Sequence, residues 1–258
     1  MRIAVVGKGG AGKSVIAGTA ARILARRGHR VLAVDTDLMP GLAFSLGMGA
    51  GGGASLEGAA EKDDEGRWRL KKGVGPVRAV QRHAVRAPDG VRLLQCAKLD
   101  ADGIDPIRGP LRACYAIVRR LGQAPAFRDW AMVGDLPAGP RQAAYDWAAY
   151  ADTFVVVAEP TWKSALTARR VARIARGRPG KSAVLVASKV EGEDDVRRVA
   201  ELVGEPAVAA VPIDAAVAEA DRLGVALIDY DPSSPAALAI EGLVDGLAAR
   251  KMPGVSAA

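Results

Sequence analysis

Short apolar runs alternate with longer amphipathic stretches along most of the chain, which predicts strands and helices in turn. The predicted strands cover residues 2–7, 29–35, 90–97, 131–135, 153–159, 182–188 and 207–212. The predicted helices cover residues 13–27, 111–121, 164–176, 194–203 and 234–250. Alternation of this kind is typical of βαβ crossovers, so we expect an α/β fold with a doubly wound, mostly parallel sheet and helices on both faces.

One irregular segment, residues 47–90, interrupts the alternation. Its first part is rich in glycine and charge, which predicts a loop with a short helix. Residues 83–94 then predict a hairpin, because a Pro-Asp-Gly turn separates two apolar stretches. No internal repeat or linker divides the chain, so we predict one domain over residues 1–258 that carries this insert.

Composition narrows the class of protein. Half of the 258 residues are hydrophobic and 4% are aromatic, which predicts the aliphatic core of a parallel sheet. The two cysteines lie far apart and do not indicate a disulfide framework. The apolar run at residues 3–6 is too short for a signal peptide, and no apolar run approaches the length of a membrane span. We expect a soluble cytoplasmic protein.

The chain is basic, with a net charge of +7 and a pI of about 9.6. Such a charge fits a polyanionic partner, but it also fits an arginine-rich composition with a nucleotide pocket. The sequence favours a solvated helix face over a nucleic-acid site for the densest basic cluster. That cluster comprises Arg169, Arg170, Arg173, Arg176, Arg178 and Lys181. Residues 243–258 carry no aromatic anchor or strong amphipathic pattern, so we expect no membrane partner.

Residues 7–14, GKGGAGKS, fit the phosphate-binding pattern G-x-x-x-x-G-K-[ST] between a predicted strand and a predicted helix. Glycines there turn backbone N–H groups toward phosphates, and the helix N-terminus adds its positive end. We expect ATP or ADP with Mg²⁺, Lys13 on the β- and γ-phosphates and the Ser14 hydroxyl on the metal. The predicted cofactor-binding residues of the loop are Gly7, Gly9, Gly10, Ala11, Gly12, Lys13, Ser14 and Val15.

A second lysine, Lys8, follows the first glycine of the loop. The stretch KGGAGKS resembles the deviant Walker A loop of the MinD/ParA family of P-loop ATPases. The resemblance implies that Lys8 acts in trans, reaching the phosphates of a partner's ATP within a nucleotide-sandwich homodimer. It therefore implies that Lys8 couples dimer closure to hydrolysis.

Residues 34–47 resemble the first switch of that family, and here Leu38, Met39 and Pro40 replace its immediate proline. The resemblance implies that Asp37 positions the attacking water. For Asp35 it implies support of the Mg²⁺ shell or of the loop.

Residues 131–139, AMVGDLPAG, resemble Walker B with the second switch. There the resemblance implies that Asp135 meets Mg²⁺ through water. It also implies that the Gly139 N–H swings toward the γ-phosphate.

Two stretches near the end of the chain resemble the base-binding loops of the family. Ser188 and Lys189 stand where an Asn-Lys pair is usual, and Pro212, Ile213 and Asp214 match a Pro-x-Asp element. The serine in place of asparagine leaves the preference for adenine over guanine open. The resemblance extends from residue 2 to about residue 230.

Residues 155–175 and 211–229 look most like the CooC branch, whose members help to insert nickel into carbon monoxide dehydrogenase. That branch carries a C-x-C pair, whereas this chain has Cys114 alone in the corresponding stretch. Cys114 and Cys96 are therefore interpreted as buried core residues. The cluster-binding iron protein of nitrogenase fits less well, because residues 136–143 contain no cysteine.

Two function classes follow from the resemblance. The first is an accessory or maturation ATPase that acts on an unidentified client protein through its switch loops. The second is a spatial-organisation ATPase of the MinD or ParA kind, which binds DNA or another partner in its ATP dimer. A kinase or ligase that uses the same loop is a third class, although such relatives generally lack the early lysine.

Overall fold

A computed structural model of the chain describes residues 1–39, 41–49, 56–97 and 107–250. The strands in this part include one for each predicted run, with shifts of a few residues at some ends, and add a short hairpin. They are β1 (Arg2–Gly7), β2 (Val31–Asp35), β3 (Ala60–Lys62), β4 (Trp68–Leu70), β5 (Val85–Arg86), β6 (Arg92–Gln95), β7 (Ala131–Asp135), β8 (Thr153–Ala158), β9 (Ser182–Val190) and β10 (Ala207–Pro212).

The helices of the same part include every helix predicted from the sequence, with shifts of a few residues at some ends. They are α1 (Lys13–Arg26), α2 (Leu42–Ser45), α3 (Pro76–His83), α4 (Arg108–Leu121), α5 (Arg141–Ala144), α6 (Trp162–Arg176), α7 (Glu193–Val203), α8 (Ala215–Leu223), α9 (Leu227–Tyr230) and α10 (Pro235–Ala249). Among these described helices, none combines the length and apolar character that a membrane span requires.

Eight strands form one sheet in the order β10-β9-β8-β1-β7-β2-β6-β5. Every pairing is parallel except the one between β5 and β6. The predicted doubly wound α/β class is therefore confirmed. β1 lies between β7 and β8, so the loops that follow these three strands meet at one edge of the sheet, where ligands bind in such folds.

Helices cover both faces of the sheet, as predicted. Successive side chains of a strand point to opposite faces, so each central strand contributes to two hydrophobic cores. Ala4 and Val6 of β1 face the core that includes α4 and α6. Ile3 and Val5 face the opposite core, which includes α1 and α10. Burial on both sides explains why the central strands are continuous apolar runs.

The segment predicted as an irregular insert contains more regular structure than expected. The hairpin is confirmed, since β5 and β6 pair antiparallel around a turn at Asp89, whose φ is 55°. A second hairpin, β3–β4, and helix α3 were not predicted. Residues 50–55 of the glycine-rich part lie outside the described residues, and the division of the chain into a single domain stays a prediction.

The expectation about the cysteines needs one correction. Both are fully buried, as interpreted from the sequence, but Cys96 after β6 and Cys114 in α4 are joined by a disulfide with Cα atoms 5.1 Å apart. Sequence separation could not reveal this pairing, because packing of α4 against the sheet creates it. Within the described residues, no group of three or more His, Cys, Asp or Glu side chains is placed to hold a metal ion.

A buried arginine fixes α1 to its surroundings. Arg22 is 2% exposed, and its guanidinium donates to the Asp89 carboxylate at 2.6 Å, the Asp229 carboxylate at 2.8 Å and the Leu46 carbonyl at 2.8 Å. Burial lowers the pKa of Arg22, but the two carboxylates outweigh it and the net shift is upward. Arg26 donates to the same two carboxylates, so the network holds the C-terminal half of α1 in place.

Candidate functional site

The phosphate loop joins β1 to α1 in the conformation that its glycines allow. A Cβ on Gly7 would lie 2.3 Å from the Val157 carbonyl oxygen of β8, so the close approach of the two strands requires glycine. Gly12, which caps α1, has a φ of 88° in the left-handed region that side chains disfavour. The loop therefore leads directly into the helix N-terminus, as the sequence pattern requires.

The lysine and the serine that end the loop motif, Lys13 and Ser14, both contact other residues of the site. Lys13 is 8% exposed, and its Nζ donates to the Lys8 carbonyl at 3.4 Å, which folds the side chain back over the loop. The Ser14 hydroxyl donates to Asp135 Oδ2 at 2.5 Å. The structure thus brings the predicted Walker A serine and Walker B aspartate into direct contact.

Asp35 and Asp135 form a buried pair of acids at the ends of β2 and β7. They are register partners in the sheet, and neither is more than 1% exposed. Burial raises the pKa of Asp135 to about 6, with Ser14 and Lys13 opposing the shift. Burial, together with the charge of Asp135, raises the pKa of Asp35 well above its usual value.

The donor set of this acid pair fits Mg²⁺. One oxygen of each carboxylate, Asp35 Oδ2 and Asp135 Oδ1, is buried without a hydrogen-bond partner. Buried polar atoms normally have partners, and unpaired ones call for an explanation such as an ion or water. Mg²⁺ prefers carboxylate, hydroxyl and water oxygens, so Ser14, Asp35 and Asp135 together could hold it.

The two predicted switch segments are tied to the same edge of the sheet. The Asp37 N–H donates to Asp35 Oδ1 at 3.0 Å, and the Asp37 carboxylate accepts from the Met39 N–H at 3.1 Å. Asp37 itself is half-buried, and Pro40 of the same resemblance lies outside the described residues. In the second switch, the Gly139 N–H donates to the Gly7 carbonyl at 3.0 Å. That N–H must leave Gly7 if it is to reach a phosphate.

Lys8 behaves differently from Lys13. Its side chain is 39% exposed, and its ammonium lies 3.3 Å from Glu159 Oε2 at the end of β8. Lys189 approaches the other oxygen of Glu159 at 3.5 Å. Sequence reasoning missed Glu159, although one acid at the carboxyl end of an apolar strand is a usable signal in a fold of this kind.

A cleft of about 590 Å³ runs from the phosphate loop to the predicted base-binding loops. Its lining includes Ser188, Lys189, Pro212 and Ile213, so the structure brings these four residues together beside the phosphate loop. The side chain of Ser188 is buried, and Lys189 has a φ of 56°. Phe44 and Ser45 of α2 also line the cleft and were not predicted.

Asp214 lines the cleft, but both of its carboxylate oxygens are already engaged. Oδ1 accepts from the Ala216 N–H at 2.9 Å and caps α8. Oδ2 accepts from the Ala236 N–H at 2.9 Å at the start of α10. The carboxylate therefore joins the starts of α8 and α10. This geometry favours a structural role for Asp214 over direct contact with a nucleotide base.

Comparison with known proteins identifies the family and agrees with the fold. Residues 3–224 match the family described as the CobQ/CobB/MinD/ParA nucleotide binding domain. The chain belongs to this family, and it is a P-loop ATPase of the MinD/ParA type.

Among curated proteins, the chain is 27% identical over 248 residues to the carbon monoxide dehydrogenase accessory protein CooC of Rhodospirillum rubrum, covering 90% of this chain and 91% of that protein. Among solved structures, it is similar to a ParA family ATPase from Chlorobium tepidum, with a TM-score of 0.69, 18% identity and coverage of 95% and 98%. It is also similar to MinD from Pyrococcus horikoshii complexed with Mg-ADP, with a TM-score of 0.65, 20% identity and coverage of 95% and 94%. The two structural similarities concern the fold.

Proposed function

We propose that this protein is a switch ATPase that dimerises on binding ATP·Mg²⁺, hydrolyses the ATP and acts on a client protein. The observation that carries the proposal is the separation of two lysines on one loop. Lys13 is buried and folded over the loop, whereas Lys8 is partly exposed and turned away from it. A buried lysine suits the phosphates of its own chain, and an exposed one suits those of a second chain.

The proposed roles follow the geometry of the site. Lys13 and the backbone N–H groups of Gly9 to Val15 bind the phosphates, and Ser14, Asp35 and Asp135 hold Mg²⁺. The bound metal would offset phosphate charge during the reaction. Asp37 orients the attacking water from the first switch. Gly139 releases its hydrogen bond to Gly7 and donates toward the phosphates when the second switch moves.

Action on a client is supported by the relative that is named an accessory protein. The switch segments are suited to transmit the state of the nucleotide, because both are hydrogen-bonded to elements of the site. Asp37 is linked to Asp35, and Gly139 is linked to Gly7. Loss or gain of these bonds with the nucleotide would change the surface that a client contacts.

A second candidate, binding of DNA by the ATP dimer, has one observation in its favour. Arg169, Arg170 and Arg173 are exposed on α6, and no ion pair involves them within the described part of the chain. Free arginines on one helix could meet phosphates. DNA affinity that appears only with ATP and falls steeply with salt would favour this candidate over a protein client.

The proposal is tested by the mass of the protein in solution. Light scattering coupled to size exclusion is measured with ADP and then with adenosine 5′-O-(3-thiotriphosphate) and Mg²⁺. We expect a monomer with ADP and a dimer with the analogue. An unchanged mass would contradict ATP-dependent dimerisation. It would favour a constitutive dimer or a kinase-like reaction instead.

Two variants test the different roles proposed for the two lysines. Lys8→Ala should bind ATP within a few-fold of the wild type but lose dimer-coupled hydrolysis. Lys13→Ala should weaken ATP binding by about 10-fold or more, since it removes a charge-assisted contact. Normal turnover by Lys8→Ala would reject its role in trans.

A further inference from the structure

Glu159 lies between the two loops that form the nucleotide cleft, for a topological reason. β8 is paired with β1 on one side and with β9 on the other. Glu159 is the first residue after β8, so its side chain meets Lys8 from the loop after β1 and Lys189 near the end of β9. Neighbouring parallel strands that end together bring these three charges to one place.

The position of Glu159 is fixed before any partner binds. Its backbone N–H donates to the buried Ser164 hydroxyl at 2.9 Å, and its carbonyl accepts from the Thr161 N–H at 2.7 Å. The Ser164 N–H is in turn capped by the Thr161 hydroxyl at the start of α6. These bonds fix the backbone of Glu159, and its side chain is only 14% exposed, so the carboxylate is largely shielded from solvent.

The two lysines divide the two oxygens of this carboxylate. Lys8 takes Oε2, and Lys189, whose backbone is in the left-handed region, takes Oε1. The contact with Lys189 therefore keeps the carboxylate turned so that Oε2 faces Lys8. As a result, Lys8 contacts a carboxylate of its own chain, whereas the proposed reaction requires it to contact the phosphates bound to a second chain.

We propose that Glu159 is a positioning residue that retains Lys8 on its own chain until a second copy of the protein competes for it. The inference rests on the proposed ATP-dependent dimer. Because the Lys8–Glu159 pair is partly exposed, its strength is modest and it can be displaced. A pair of this kind shifts an equilibrium by up to about five-fold, which sets the size of the expected effect.

The test uses Glu159→Gln, which keeps the shape and removes the charge, in the full chain. Glu191→Gln is the matched control, because Glu191 follows β9 at the same edge of the sheet, is exposed and has no ion pair among the described residues. The first measurement is the rate at which acetic anhydride acetylates Lys8 in the presence of ADP, read by mass spectrometry. Lys163, an exposed lysine of α6, is the internal reference.

We expect acetylation of Lys8 to be about two- to five-fold faster in Glu159→Gln and unchanged in Glu191→Gln. The second measurement is the dimer dissociation constant at saturating adenosine 5′-O-(3-thiotriphosphate) and Mg²⁺, by sedimentation equilibrium. It should be about two- to five-fold lower in Glu159→Gln. Saturating nucleotide prevents a change in nucleotide affinity from producing this result.

Unchanged labelling of Lys8 would overturn the inference whether or not the wild type dimerises. Faster labelling with an unchanged dimer dissociation constant would also overturn it, because the contact would then not oppose dimer formation. A wild type that stays monomeric with the analogue rejects the proposed function instead. The labelling rate still decides in that case whether Glu159 retains Lys8.

Discussion

Asp35 and Asp135 are direct partners across the neighbouring strands β2 and β7, with both carboxylates buried at the same edge of the sheet. Two buried acids side by side repel each other and lose their hydration. Both acids are nevertheless present at the ends of strands whose other residues are buried and almost all apolar. This arrangement is costly for the chain alone, and a bound cation would offset the cost, which is the balance expected of a binding site rather than of a structural core.

The first prediction concerns that balance. Asp135→Asn should raise the free energy of unfolding of the nucleotide-free chain near neutral pH by up to about 3 kcal/mol, since burial raises the pKa of Asp135 from 3.8 to about 6 and one pKa unit corresponds to about 1.4 kcal/mol. The same variant should lose much of the stabilisation that Mg²⁺ and ADP give the wild type. Urea denaturation with and without Mg²⁺ and ADP measures both effects.

The control for this prediction is Asp129→Asn, which removes an exposed carboxylate and should change stability by less than about 0.5 kcal/mol. An Asp135→Asn chain that is less stable than the wild type without ligand would contradict the prediction.

The second prediction separates a structural role of Asp214 from a role in binding the base. Asp214→Ala leaves the N–H groups of Ala216 and Ala236 without their acceptor and should destabilise the chain by about 1–3 kcal/mol. Asp221→Ala, an exposed residue of the same helix that also lines the cleft, should change stability little. Thermal unfolding without nucleotide measures the difference. If Asp214→Ala lowers only nucleotide affinity, the carboxylate contacts the base after all.

The third prediction concerns the close approach of β1 and β8. Gly7→Ala places a methyl group 2.3 Å from the Val157 carbonyl oxygen, so the strands must separate and the free energy of unfolding should fall by about 1–3 kcal/mol. Gly242→Ala in α10 is the matched control, because nothing lies within 4 Å of its added Cβ. In a helix interior that change should stabilise by about 0.5–1 kcal/mol. Equal stability of the two variants would refute the steric argument.

The fourth prediction is that the free energy of unfolding depends on pH through the Asp89 carboxylate. Burial alone would raise the pKa of Asp89, but hydrogen bonds and charges of Arg22 and Arg26 lower it below its usual 3.8. The folded chain therefore binds fewer protons than the unfolded chain in the acid range. The stabilisation that the Asp89 carboxylate contributes is complete above the pKa of Asp89 in the unfolded chain. It is lost as the pH falls through the lower pKa of Asp89 in the folded chain.

Asp89→Asn tests this dependence, since asparagine tolerates the left-handed backbone of Asp89 but carries no charge. It should lower the free energy of unfolding at neutral pH by about 1–3 kcal/mol. Its stability should also fall less than that of the wild type between about pH 5 and pH 3. Urea denaturation at several pH values compares the two slopes, and parallel slopes would count against the assignment.

Sequence reasoning recovered the strands of the sheet because local patterns determine where each strand begins and ends. Strands such as β1 and β8 are buried on both faces, so each appears as a short apolar run with clear ends. The phosphate loop was equally readable, since its glycines and Lys13 occur at fixed spacing in one stretch. Asp35 and Asp135 were singled out by the resemblance of their segments to the first switch and to Walker B, and in the structure both end such runs.

The features that were missed depend on contacts between distant segments. The β3–β4 hairpin is short and charged, and Trp68 gains its packing from Gly109 of α4 far along the chain. The pairing of Lys8 with Glu159 depends on the order of strands in the sheet, which the sequence did not reveal. The Cys96–Cys114 pair likewise arises only when α4 packs against the sheet.

One contact of Arg22 also anchors the segment that is predicted to be the first switch. Thr36 is held at one end, where its N–H and hydroxyl donate to the Asp135 carbonyl at 3.1 and 3.0 Å. Leu46 is held at the other end, where its carbonyl accepts from Arg22. The segment is therefore anchored at both ends, and we expect any ligand-driven motion to displace its middle while Thr36 and Leu46 stay in place. If this segment moves with the nucleotide as we propose, a shorter or longer segment should change the extent of the motion while every residue of the phosphate loop stays the same.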